Sequence, residues 1–227
     1  MTYKICIIAA GKGSRMGDFT KVFNKALIPV HGKPAICHVI ENYDPSIEIV
    51  FGFGYKGEQL KKFVETAYPD RIFKFVNVDN YDQLGSGPGY SLLCCKDELQ
   101  CPFILANVDA LTIGKIPEPL ENWFGVGEVE DTERFCSVKV DEEGKVLEIM
   151  DKIKSDNKYA FTGISGIHDY QIFWAALEGN TGLIAGERQV SNGFQALKEK
   201  GMNIVVLNWF DTGTPETYEE TNKKFPK

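Results

Sequence analysis

The chain has 227 residues, 43% of them hydrophobic, enough to bury one large α/β core without requiring a second domain. Its formal net charge of −7 excludes a broad surface that holds nucleic acid by its phosphates, so any anion must be gripped locally. No run reaches the ~18 apolar residues of a membrane span, and the amino terminus lacks the parts of a secretory signal, so a cytoplasmic protein without a membrane partner is expected.

An uninterrupted apolar run, Ile5 to Ala10, predicts a strand buried on both faces, and it empties into a loop containing Gly11, Gly13 and Gly17. Glycines let backbone N–H groups approach a phosphate closely. Arg15 in this loop and Lys25 ahead of the next apolar segment would bring two cations to the same anion, which makes the stretch a polyphosphate cradle. Neither a Walker spacing nor a dinucleotide fingerprint can be laid over it.

His31 to Pro34 reads as a turn, with Pro34 opening a helix marked by Ile36, Val39 and Ile40. A strand over Ile47 to Phe53, a helix marked by Leu60, Phe63, Val64 and Ala67, and a strand over Ile72 to Val78 complete an alternating order that implies a parallel sheet with helices on its faces. A second glycine-rich loop, Tyr81 to Leu92, precedes a helical stretch through Leu99. Phe103 to Val108 is a buried strand with Asp109 at its end, where ligands gather in open α/β sheets and a carboxylate can hold a metal beside a polyphosphate. From Ile113 to Glu130 no periodicity is visible, and Pro117, Pro119 and Gly125 suggest an irregular excursion. Phe135 to Val140 and Val146 to Met150 read as a hairpin around the turn at Asp141 to Gly144. Helices follow at Tyr170 to Leu177 and Val190 to Lys200, then a strand at Ile204 to Leu207. Thr214 can cap, and Pro215 open, a last helix through Phe225, with Lys223 to Lys227 as a frayed basic tail. The six cysteines show no paired metal-binding spacing and read as reduced core thiols.

Gly11‑x‑Gly13‑x‑Arg15 followed by Lys25‑Ala26‑Leu27‑Ile28‑Pro29‑Val30 resembles the signature of the sugar-phosphate nucleotidylyltransferases, with Asn24 where that family carries proline. Losing the proline is expected to loosen the loop ahead of Lys25 without moving the lysine. Trp209‑Phe210‑Asp211‑Thr212‑Gly213‑Thr214 resembles the family's second metal motif, Asp151‑Lys152‑Ile153 its Glu‑Lys‑Pro triplet, and Thr162‑Gly163‑Ile164 the segment bordering its acceptor pocket. At Val108 the family usually has glycine, which leaves the backbone before Asp109 less free. The run Gly11 to Met16 also resembles short relatives within the same fold, and Tyr90‑Ser91‑Leu92 resembles small cytidylyltransferases acting on phosphocholine-like acceptors.

The resemblance implies a Rossmann-like three-layer α/β/α domain of the GT‑A-like type with a mostly parallel mixed sheet. It would span residues 1–227, with a nucleotide-binding part over about 1–110 and an acceptor-binding part over about 111–227. It implies that Arg15 neutralises the β- and γ-phosphates, that Lys25 sits by the α-phosphate and that Lys152 clamps the acceptor's phosphate. Ala10, Gly11, Gly13, Gln83, Gly85 and Gly87 would hold the nucleotide, Asp151, Thr162 and Gly163 would border the acceptor, and Asp109 and Asp211 would hold Mg²⁺. The substrates would be a nucleoside triphosphate and a small phosphomonoester; a homodimer is left open.

Such a reaction needs no general base, because the acceptor phosphate is already mostly a dianion at neutral pH, with a second pKa of about 6. Charge neutralisation and in-line alignment are what it requires. The three histidines, His31, His38 and His168, stand in no triad or metal spacing, which is consistent with that chemistry. The rival readings are a phosphocholine-type cytidylyltransferase, a non-catalytic nucleotide-binding regulator and, more distantly, a Rossmann dehydrogenase.

Overall fold

The computed structural model describes residues 2–226. From the amino terminus the chain runs through β1 (Lys4–Ala9), a single helical turn α1 (Phe19–Val22), the short hairpin β2 (Pro29–Val30) and β3 (Lys33–Pro34), and α2 (Ala35–Ile40). β4 (Ile49–Phe53), α3 (Gly57–Ala67), β5 (Phe73–Asn77), α4 (Pro88–Cys94) and β6 (Phe103–Asn107) follow. The second half contributes β7 (Ala110–Ile113), β8 (Trp123–Glu128), β9 (Cys136–Val140), β10 (Val146–Asp151) and β11 (Tyr159–Ile167). Helices α5 (Tyr170–Gly179) and α6 (Ser191–Lys200), strands β12 (Asn203–Val206) and β13 (Asn208–Asp211), and α7 (Pro215–Lys224) close the chain.

Side chains alternate across a strand, so a run with no polar residue must be covered twice. In β1, Ile5 and Ile7 pack with Ile36, Ile40, Phe51 and Leu60 on the α2 and α3 side. Cys6 and Ile8 pack with Leu92, Leu105, Phe173 and Phe194 on the α4, α5 and α6 side. The sheet is therefore the middle of three layers. β5, β4, β1 and β6 are parallel neighbours in that order, as the alternating first half demands. β11 joins β6 antiparallel, and β9 and β10 extend the sheet beyond it. The sheet is thus mixed but parallel where the first three crossovers build it.

The expected irregular excursion after Ile113 does not hold for its last part, because β8 lies inside the sheet, antiparallel to β11 and parallel to β12. Its sequence, Trp‑Phe‑Gly‑Val‑Gly‑Glu, hides the strand by placing glycines where a strand would show bulky residues. They are there for room: a side chain at Gly125 would overlap the Ile164 carbonyl, and one at Gly127 would come within 2.8 Å of the Trp209 indole. Gly166 in β11 lies against the same wall, under the buried Trp123 indole. Gly166→Val is expected to destabilise the chain by about 2–3 kcal/mol through overpacking, read as a lower urea midpoint at unchanged slope.

Thr214 caps α7 as the sequence suggests, accepting from Thr217 N, with Pro215 in the first turn. The tail beyond it is docked rather than frayed over the described residues. Asn222 accepts from His31 N at 3.2 Å, and the Phe225 ring packs against His38 and Phe210 with centroids 4.9 and 5.2 Å away. Lys227 lies outside the described residues. No described helix is long and apolar enough to cross a membrane.

Candidate active site

Because β1, β4 and β6 run parallel with Ile8 level with Asn107 and Ala9 level with Phe53, the loops that follow them leave the sheet at one edge. There a cavity of about 730 Å³ opens. The loop after β1 forms one wall from Gly11 to Arg15, and Tyr81, Asp82, Ser86 and Gly87 form another. Asn107 to Asp109 make the floor, and Arg134, Lys152, Ala185, Glu187 and Gln189, from the second half of the chain, complete the lining.

Within the first wall, Gly13 has φ +63°, and a Cβ there would come within 3.0 Å of Thr20 and 3.2 Å of Lys25. Only glycine lets Lys25 pass this close to the loop. Asn24, expected to loosen the approach to Lys25, fastens it instead. The residue keeps φ −60°, the angle proline would impose, and its buried amide donates to the Ala9 and Tyr55 carbonyls at 3.3 and 2.7 Å. Its Oδ1 accepts from Ala26 N at 2.9 Å, capping the turn that carries Lys25. Asn24→Ala would remove three hydrogen bonds, two of them buried, and should cost about 2–3 kcal/mol, measurable by chemical denaturation beside a weakened affinity for nucleotide.

Lys25 Nζ lies 2.5 Å from Asp109 Oδ2. Burial alone would push the Asp109 carboxyl up, but the Lys25 ammonium, its hydrogen bond and the Arg15 charge outweigh it and hold the group below its usual range. Asp211 comes from the other end of the chain. Antiparallel pairing of β13 with β7 sets Asp211 opposite Ala110, and Thr212 N donates to the Asp109 carbonyl at 3.0 Å. Asp211 Oδ1 accepts from Gly213 N at 2.8 Å. Burial first, and then the Asp109 charge, push the Asp211 carboxyl up. Two carboxylates thus share one spot with their charges uncompensated by a single lysine.

That arrangement fits Mg²⁺. Among the described residues no group of three or more His, Cys, Asp or Glu forms a closed metal cage. Mg²⁺ is usually held by one or two carboxylates together with water and substrate phosphate oxygens, which a pair at the edge of a cationic cavity can provide.

The other residues singled out from sequence divide into those that line the cavity and those that build it. Gly11, Gly13, Arg15, Lys25, Gly87, Asp109 and Lys152 line it. Ala10 lies just behind, its carbonyl accepting from Tyr55 N at 2.9 Å. Gln83 and Gly85 shape the second loop, through Ser86 N to the Gln83 carbonyl and Gly85 N to the Gly186 carbonyl, and do not line the cavity. Asp151 is tied to α6, accepting from Ser191 Oγ at 2.6 Å. Thr162 is buried and donates to the Gly125 carbonyl at 3.0 Å, while Gly163, at φ +91°, makes room for Asn107, whose amide would be 2.6 Å from a Cβ there. None of these three borders the cavity.

Arg134, Asn107, Ala185, Glu187 and Gln189 line the cavity but were not singled out from sequence. The signal for the last group is Ala185‑Gly186 between Ile184 and Glu187. Both central residues have positive φ, 52° and 79°, and Ile184 and Glu187 exchange backbone hydrogen bonds around them at 2.9 and 3.1 Å.

Residues 5–114 match the family model of the MobA-like NTP transferase domain. That stretch, just under half of the chain, is similar to NTP transferase domains. The bifunctional protein GlmU of Methanocaldococcus jannaschii is 28% identical over 225 residues, a match covering 96% of this chain and 53% of that protein. The chain therefore spans about half the length of such curated relatives. Among solved structures, a UDP-glucose pyrophosphorylase complexed with UDP-glucose superposes with a TM-score of 0.83 at 18% identity, covering 99% of this chain and 98% of the other. CTP:phosphocholine cytidylyltransferase from Streptococcus pneumoniae superposes with a TM-score of 0.78 at 19% identity over the whole of both chains. These likenesses establish the transferase fold for all of the described chain, including the half beyond the family match.

Proposed function

We propose that the chain is a Mg²⁺-dependent nucleotidylyltransferase that joins a nucleoside triphosphate to a sugar 1‑phosphate and releases pyrophosphate. The observation that carries the reading is the meeting of Asp109 and Asp211 beside Lys25: Asp109 and Lys25 line a cavity whose walls are a glycine loop with Arg15 and a second glycine loop at Gly87, and Asp211 adjoins Asp109 without itself lining the cavity. Nucleophile and electrophile are both anionic in this reaction, so the barrier falls chiefly through charge neutralisation and alignment.

The cations that line the cavity divide that task. Arg15 and the backbone of Gly11 to Gly13 receive the triphosphate, and Lys25 bridges the floor to the reacting phosphorus. Lys152, with Arg134, holds the acceptor phosphate in line. Its backbone is fixed for this in the left-handed region, at φ 56°, with Lys152 N donating to the Phe135 carbonyl at 2.9 Å. Asp109 and Asp211 would hold the Mg²⁺, which when bound screens the phosphate oxygens and stabilises the charge that develops on them. A titrating base is not required.

An ammonium-bearing acceptor such as phosphocholine fits less well. The aromatic pair nearest Arg134 is Phe135 against Trp209, 5.8 Å between centroids, and the Arg134 guanidinium already lies 5.6 Å from the Phe135 ring. Neither ring lines the cavity, and Tyr81, the aromatic side chain that does, makes no cage for an ammonium by itself.

The test is pyrophosphate release with Mg²⁺, crossing ATP, CTP, GTP, UTP and dTTP against hexose 1‑phosphates and phosphocholine. Release with one nucleotide and a hexose 1‑phosphate, abolished by EDTA, is the expected result. Release with phosphocholine alone would move the acceptor, and Mg²⁺-dependent nucleotide binding without release from any pair would favour a regulatory binder.

A further inference from the structure

Three carboxylates line the cavity, and two are accounted for: Asp82 pairs with Lys12, and Asp109 with Lys25. The third, Glu187, stands among the acceptor-end cations. Its Oε2 accepts from Gln189 Nε2 at 2.9 Å and faces Lys152 Nζ at 3.4 Å, leaving Oε1 without a partner among the described residues. We infer that Glu187 determines acceptor specificity, by accepting a hydrogen bond from a hydroxyl or amino group that the acceptor carries beside its phosphate. This rests on the transferase reading, and it assigns the residue that would select the acceptor.

The argument begins with repulsion. If Lys152 holds the acceptor phosphate, a carboxylate 3.4 Å from its ammonium stands next to a dianion. An acceptor that brings no donor leaves two like charges face to face across a short gap. One that places a hydroxyl or amine between them turns the same carboxylate into a charged hydrogen-bond partner. A site built around a substrate donor rejects analogues lacking it, because its own polar group is then left unpaired.

The backbone that carries Glu187 is also firmly held. The two-residue turn at Ala185 and Gly186 presents it, and the next residue anchors the segment: the Arg188 guanidinium donates to the Leu177, Glu178 and Asn180 carbonyls at the end of α5, at 2.5, 2.9 and 3.3 Å. On the other side the segment is laced to the Gly87 loop. Gly85 N donates to the Gly186 carbonyl at 3.0 Å, Arg188 N to the Ser86 carbonyl at 2.7 Å, and Gly89 N to the Arg188 carbonyl at 2.8 Å. A Cβ on Gly87 would lie 2.8 Å from Glu187 Cβ. Asp151, by contrast, is occupied by Ser191 outside the cavity, so Glu187 is the acceptor-end carboxylate available to a ligand.

The test is isothermal titration calorimetry of glucose 1‑phosphate and of methyl phosphate, with Mg²⁺ present, into the wild type, Glu187→Gln, Glu187→Asp and Glu187→Ala. The wild type should prefer glucose 1‑phosphate by about 10- to 100-fold. That ratio should collapse below about threefold in the Gln and Ala variants and be partly restored in the Asp variant. The glutamine keeps the shape and can still contact Gln189, and a midpoint of thermal unfolding near the wild-type value shows that the fold is intact. An unchanged ratio in the Gln variant, or a wild type that binds both ligands equally or neither, overturns the inference. Pyrophosphate release measured on the same samples separates the two readings. Discrimination lost with Glu187 but no release with any nucleotide removes the transfer reaction and leaves the specificity role standing, whereas release with an unaltered ratio does the reverse.

Discussion

Asp109→Asn and Asp211→Asn are each expected to lower turnover at least about 10³-fold at saturating Mg²⁺, the loss of several kcal/mol of charge stabilisation in the transition state. Their effects on stability should run in opposite directions. The Asp109 carboxyl is held low by Lys25 and Arg15, so its ionised form stabilises the folded chain above its ordinary range, and that contribution is lost as pH falls through the lowered folded value. Replacing it also leaves Lys25 without its partner on the cavity floor, and the urea midpoint should fall. The Asp211 carboxyl is pushed up, first by burial and then by Asp109, so its ionised form opposes folding at neutral pH. Its replacement by asparagine should leave the metal-free chain as stable as the wild type or more so, while activity is lost. Urea denaturation in EDTA beside pyrophosphate release in Mg²⁺ makes the comparison; parallel losses of stability and activity in both variants would show that the two aspartates are structural supports.

The parts of this arrangement that could be read ahead of the structure are those where chemistry and backbone demand coincide. The Gly13 to Lys25 stretch is legible because one glycine serves both a left-handed turn and the close passage of a lysine. Asp211 is legible through the resemblance of its motif, and the structure supplies a reason for the motif's glycine: a Cβ on Gly213 would come within 2.8 Å of Asp211 Oδ1. What escaped was set by tertiary packing. β8 is a central strand whose glycines answer to the Ile164 carbonyl and the Trp209 ring, neighbours supplied by distant segments. Asn24 gave no sign that it would replace proline's rigidity with three hydrogen bonds, since their partners lie on β1, on the turn after β4 and on the next helical turn. Gln83 and Gly85 share the glycine-rich stretch with Gly87, but backbone bonding to residues 186 and 188 decides which of them faces the cavity.

Lys25→Ala is the second variant expected to fail badly, with turnover falling about 10²- to 10³-fold as a preorganised cation is removed from the reacting phosphate. Lys25 also sets the charge of Asp109, because it provides the largest attraction opposing burial there. Without it the carboxyl loses its close counter-ion and Asp211 faces a less well compensated neighbour, so the lysine and the two aspartates should behave as one unit. Lys25→Ala combined with Asp109→Asn should therefore cost little more than the worse single variant, as groups that act together do. Losses that multiply to about 10⁵ or more would mean that Lys25 and Asp109 act on the substrate independently. Arginine should not restore the site. The lysine stem runs past Gly13, its Cβ and Cδ both 3.2 Å from where a Cβ would stand, and ends as a point charge 2.5 Å from one carboxylate oxygen. A planar guanidinium needs a wider slot and a two-pronged partner, so Lys25→Arg should recover only a small part of the lost turnover while leaving the unfolding midpoint near that of Lys25→Ala.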